Sequence, residues 1–182
     1  MRFLLILAVV AAWPVSTKPA PEDELAAKRQ KLIEHLRAYR EAARFPLPSN
    51  VTPADLVPST DIHSADAPAV HSFIGPNQSL CALAYLIAQS GRRDLVDQVA
   101  RDNNHLCVAD VKSGPVMEWI RQSGLTFEEC VLIQQPSREP VRKEDPNPEV
   151  RRIQAHLDRV EEKLVRETKV SLIVATARLR MN

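Results

Sequence analysis

Residues 79–135 read SLCALAYLIAQSGRRDLVDQVARDNNHLCVADVKSGPVMEWIRQSGLTFEECVLIQQ, and this stretch decides the fold. Ser79 can accept an orphan amide at the head of a helix running to Gln89, with Leu80, Leu83, Ala84, Leu86 and Ile87 apolar nearly all round. Gly91 supplies the left-handed position that closes it. A second helix, about Arg93 to Asp102, turns Leu95, Val96 and Val99 to the same core. Ser113-Gly114-Pro115 starts a third, carrying Val116, Met117, Trp119 and Ile120, and Gly124 closes it. Thr126 with Glu129 is a capping box for a fourth, through Val131, Leu132 and Ile133. The pattern predicts an all-α fold with a compact core of two helical hairpins, that is, four short helices. Ile87–Gly91 and Ile120–Gly124 echo each other at an offset of 33 residues. That offset is in the range of helical-hairpin repeats, but the repeat signature is missing and only two units occur.

Outward from this cassette lie two amphipathic flanks joined to it by proline-rich connectors. The N-terminal segment, 18–44, starts a helix at Pro21 with Glu22, Asp23 and Glu24 facing the positive end of the dipole. Leu25, Leu32, Leu36, Tyr39 and Ala43 then form one stripe. Residues 45–78 carry Pro46, Pro48, Pro53, Pro58, Pro68 and Pro76, an extended connector with at most a helical turn after Thr52. Residues 136–147 form a second such linker. The segment 148–182 is read as one long helix with a coiled-coil seam of Val150, Ile153, Leu157, Val160 and Leu164, shifting register to Val165, Leu172 and Leu179. Each apolar stripe must be buried somewhere. Val150, Ile153, Leu157, Val160, Leu164 and Leu172 are therefore the candidate interaction seam.

Residues 1–17 have the layout of a secretory signal peptide: Arg2, an apolar run from Phe3 to Trp13, then Pro14, Val15, Ser16 and Thr17. The run is shorter than the roughly 20 residues that span a bilayer. A secreted or periplasmic location follows, with no integral membrane segment once the signal is removed. The whole chain has 182 residues, four glycines, fourteen prolines and a net charge of +1. So few glycines weigh against phosphate-cradling loops, and so little net charge against nucleic-acid binding.

Three cysteines in an exported chain invite one disulfide. Antiparallel hairpin packing brings Cys81 and Cys107 to the same end, so they are the expected bridge, worth roughly 3–4 kcal/mol in the chain-entropy picture. Cys130 lies inside the fourth helix as core. Other constellations fail on inspection. His105 and Cys107 lack the spacing of a zinc site. Asp61, His63, Asp66 and His71 lie on a connector without ligand spacing. Asp102 to Ser113 breaks the EF-hand pattern at three ligand or turn positions, and Asn103 and Asn104 read instead as left-handed helix terminators. Glu128 and Glu129 are explained by capping and the helix dipole.

No cofactor, metal or catalytic residue is indicated. The expectation is an exported, non-enzymatic interaction or structural module that engages a protein partner, or itself, through its flanking helices. The alternative is an extracellular or periplasmic enzyme or ligand-binding protein with a site around the loop 102–114.

Overall fold

The computed structural model describes residues 21–46, 72–135 and 147–180. The expected signal peptide (1–17), residues 47–71 of the first connector and 136–146 of the second lie outside the described residues. Among those described, the chain forms seven α-helices and no strand, so the fold is all-α. They are α1 (Pro21–Ala42), α2 (Ala82–Gln89), α3 (Arg93–Asn103), α4 (Pro115–Ser123), α5 (Phe127–Gln134), α6 (Pro148–Arg166) and α7 (Thr168–Arg180).

The N-terminal flank turns out to be central. Leu32, Ile33, Leu36 and Tyr39 of α1 share one core with Leu83, Leu86 and Ile87 of α2, Ile120 of α4, and Leu157, Val160 and Leu164 of α6. α1 touches α2, α4, α6 and α7. Tyr39 donates its hydroxyl to the Leu80 carbonyl at 2.7 Å and stacks edge-on against Phe45, so even its polar tip is satisfied.

The start of α2 differs from expectation. Ser79 and Leu80 are taken up by a short reverse loop, with Gly75 N–H donating to Ser79 O and an antiparallel bridge between Ile74 and Leu80. The cap therefore moves to Cys81, whose sulfur accepts the Ala84 amide at 3.4 Å. This also corrects the expected Cys81–Cys107 bridge: all three cysteines are free thiols. The Cys81 sulfur is committed to the first turn of its own helix.

Asn104 does not adopt left-handed backbone; its φ is −62°. Instead its side-chain amide accepts from Ile74 N–H at 2.9 Å and donates to Ile74 O at 2.8 Å, standing in for a strand neighbour. The Gln134 amide holds the other side of that loop, accepting from Val108 N–H and donating to Leu106 O. Two side-chain amides thus pin the backbone on both sides of His105.

The long C-terminal helix breaks at Glu167 (φ −93°, ψ 8°), between α6 and α7. At the break the Leu164 carbonyl accepts both the Thr168 hydroxyl (2.8 Å) and a guanidinium N–H of Arg29 (2.7 Å). Side chains entering the helical ladder are an established cause of kinks. The break coincides with the register shift in the apolar pattern.

Two glycines test this geometry. Gly91 and Gly124 both have left-handed φ (+87° and +81°), but a β-carbon at Gly91 meets nothing, whereas one at Gly124 would run into the Leu25 carbonyl of α1. Gly91→Ala should cost about 1 kcal/mol, the left-handed penalty alone. Gly124→Ala should cost at least twice as much, because α1 has to move as well. Urea unfolding of the two variants measures the difference.

Candidate functional site

Among the described residues, the most densely connected polar group is Arg29. It occupies the position four residues after Leu25 and three before Leu32, in the middle of the buried stripe of α1, and it is 1% exposed. Its Nη1 and Nη2 donate to Glu129 Oε2 and Oε1 at 2.8 and 2.7 Å, a two-pronged pairing. Nη1 also donates to Gly124 O, Nη2 to Leu164 O, and Nε to Thr168 Oγ1 at 3.4 Å. These use all five N–H donors that a guanidinium has.

Glu129 is equally committed. It accepts the Thr126 amide in the capping box at 2.7 Å and the Ser171 hydroxyl at 2.7 Å, besides Arg29. Burial by itself would raise its carboxyl. The Arg29 guanidinium, the Thr126 amide and the Ser171 hydroxyl outweigh that and hold it below the usual 4.5. A carboxylate with every partner internal has no lone pair left for a substrate. The capping reading of Glu129 holds but is incomplete. An arginine inside an apolar stripe was the available signal for the rest.

Two of the three thiols are no better placed for chemistry. Burial pushes Cys81 up to about 11 and raises Cys130 further, so both stay protonated near neutral pH. Among the described residues no group of three or more histidines, cysteines or acids could hold a metal ion. No described helix is long and apolar enough to cross a membrane.

The seam residues are placed inside this chain. Leu157, Val160 and Leu164 are each 1% exposed in the main core, and Val150 and Ile153 pack against it half-buried. Leu172 joins a separate small cluster with Leu25 and Ala175. Arg40 ties the α1–α6 contact by pairing with Asp158 and Glu161, while Arg37 donates to Glu161. What remains outward is a different set: Val165, Val170 and Ile173 are 56%, 65% and 66% exposed, the large apolar side chains left in solvent among the described residues.

The loop 102–114 does border a depression. A groove of ≈ 310 Å³ runs between α3 and the start of α4, with Leu95, Val99 and Val116 on its floor and Asp102, Asp110 and Lys112 at its rim. His105 is not among the residues that line it; its ring Nδ1 lies 3.3 Å from the Ser72 hydroxyl instead. The polar groups that line it are all on exposed residues.

No family model, curated protein or solved structure matches this chain, so its own geometry carries the functional reading.

The buried pair and the half-buried His156 each have a measurable consequence. Arg29→Met should lower stability by about 3–5 kcal/mol by leaving the Glu129 charge buried without its countercharge. Arg29→Lys should rescue little of this, because an ammonium cannot form the fork. Arg37→Met, which disturbs only an exposed contact, should cost far less in the same denaturant titration.

His156 donates to Leu132 O at 3.0 Å, and burial pushes its ring below the ordinary 6.5. The unfolded chain then binds that proton first, so stability is complete above 6.5 and falls as pH drops below it. Glu129 contributes in full above 4.5, and that contribution is lost as pH falls through its lower folded value. Unfolding midpoints should decline in two stages on acidification. His156→Gln should remove the upper stage, and Glu129→Gln should flatten the lower one.

Proposed function

We propose that this chain is an exported, non-enzymatic helical module that acts by docking, through its flanking helices, onto a protein partner or another copy of itself. In this reading the two hairpins, α2–α3 and α4–α5, are the scaffold. α1 locks the C-terminal pair α6–α7 onto that scaffold, and α7 presents the docking face. The observation that carries the reading is the exposed pair Val170 and Ile173 on α7, with Val165 exposed at the end of α6. The pair stands on a helix whose opposite side is held by Ser171, Leu172 and Ala175. Apolar side chains aligned on one exposed helix face are a common mark of a protein contact. The consumed carboxylate of Glu129 and the neutral, buried thiols support the non-enzymatic side.

The groove beside the loop 102–114 favours a second reading, ligand binding. Its volume is at the lower end of the roughly 300–1,000 Å³ typical of small-molecule sites. Its polar lining residues are all exposed rather than buried inside it, which makes it the weaker reading.

Removing the C-terminal helix would be an ambiguous test, because Thr168 and Ser171 belong to the buried hub. A surface substitution avoids that. Ile173→Asp should leave the unfolding free energy within about 0.5 kcal/mol of the parent. It should also abolish concentration-dependent mass growth in sedimentation velocity. A parent chain that stays monomeric at every concentration, and whose mass Ile173→Asp leaves unchanged, would remove the support for self-docking.

A further inference from the structure

We propose that the outward stripe of α7 on one copy seats in the α3–α4 groove of a second copy, so that the chain assembles head to tail. This rests on the docking reading above and names the occupant of the face. The two surfaces match in apolar character. Val170 and Ile173, three residues apart on α7, are aliphatic, and so is the floor formed by Leu95, Val99 and Val116.

The charges are complementary. α7 reads TKVSLIVATARLR and contains no acid. Lys169 is exposed beside the stripe, and Arg166 is exposed at the end of α6, 3.4 Å from Glu167. The groove presents exposed Asp102 and Asp110 against one cation, Lys112. Opposed rims of this kind steer encounter and fix register. Two helices meeting stripe to stripe would instead bring Lys169 and Arg166 of both copies together.

A chain cannot fill its own groove. Its α7 is anchored by the opposite face, through Ser171 to Glu129, Leu172 against Leu25, and Arg178 to Glu128 at 3.5 Å. Stripe and groove are different surfaces, so the contact is heterologous. It propagates unless the rotation closes a ring.

The test uses the full chain and two variants, Ile173→Asp (stripe) and Asp102→Lys/Asp110→Lys (groove), in sedimentation velocity over a concentration series. The parent should form species larger than a dimer whose mass grows with concentration. Each variant alone should associate at least 10-fold more weakly. An equimolar mixture of the two should restore association but stop at two chains, because only one intact stripe and one intact groove remain. Lys112→Glu should tighten parent association, an effect that misfolding cannot mimic and that keeps the test decisive should the double variant melt. If the groove variant still dimerises while Ile173→Asp does not, the stripe pairs with itself: the head-to-tail inference falls and the docking reading stands. A monomeric mixture, or Lys112→Glu without effect on an associating parent, also overturns the inference. A parent monomeric throughout overturns it together with self-docking.

Discussion

The structure depends on one buried ion pair. Arg29 reaches from the centre of α1 to Glu129 on α5, to the Gly124 carbonyl at the α4–α5 turn, and to Leu164 and Thr168 on both sides of the α6–α7 break. Taking two charges out of water is expensive, and hydrophobic residues of similar volume often do as well or better for stability alone. What such a pair supplies here is a single permitted arrangement. Five donors and the matching acceptors are satisfied only when α1, α5, α6 and α7 are all in place. A shift of α1 by one turn would leave a guanidinium and a carboxylate buried without partners.

That constraint explains the C-terminal half of the chain. The seam of α6 is long enough to read as a coiled coil, yet its deepest residues are turned onto α1 of the same chain. Beyond Leu164 the backbone bends where Arg29 and Thr168 take the carbonyl. The bend lets α7 lay Ser171 on Glu129 and Leu172 on Leu25. With that side occupied, Val170 and Ile173 face outward. The exposed apolar face is thus a by-product of how the hub orients α7, which is why it is not the seam itself.

Much of the fold was legible in local sequence. Helix starts at Pro21, Pro115 and Pro148, the capping box at Thr126 and Glu129, and the left-handed glycines 91 and 124 are encoded within a few residues and appear as expected. Expectation and structure part where another group competes for the same atoms. Ser79 lost its cap because Gly75 took its carbonyl, and Asn104 was drawn to Ile74 rather than into a left-handed turn. Cys81 became a cap instead of a bridge. Propensity rules cannot see such competition, because the competing groups lie up to 30 residues away in sequence.

The sequence by itself determined the helical class, most helix boundaries and the presence of apolar stripes that need covering. These depend on backbone preferences and on 3.6-residue periodicity, which are local properties. Only the tertiary structure decided which stripe covers which. It made the N-terminal flank the central helix, closed the seam within the chain, and left Val165, Val170 and Ile173 in solvent. The physical reason is that burial and charge pairing are satisfied collectively: the partner of Arg29 is 100 residues away, and nothing near it in the chain names Glu129.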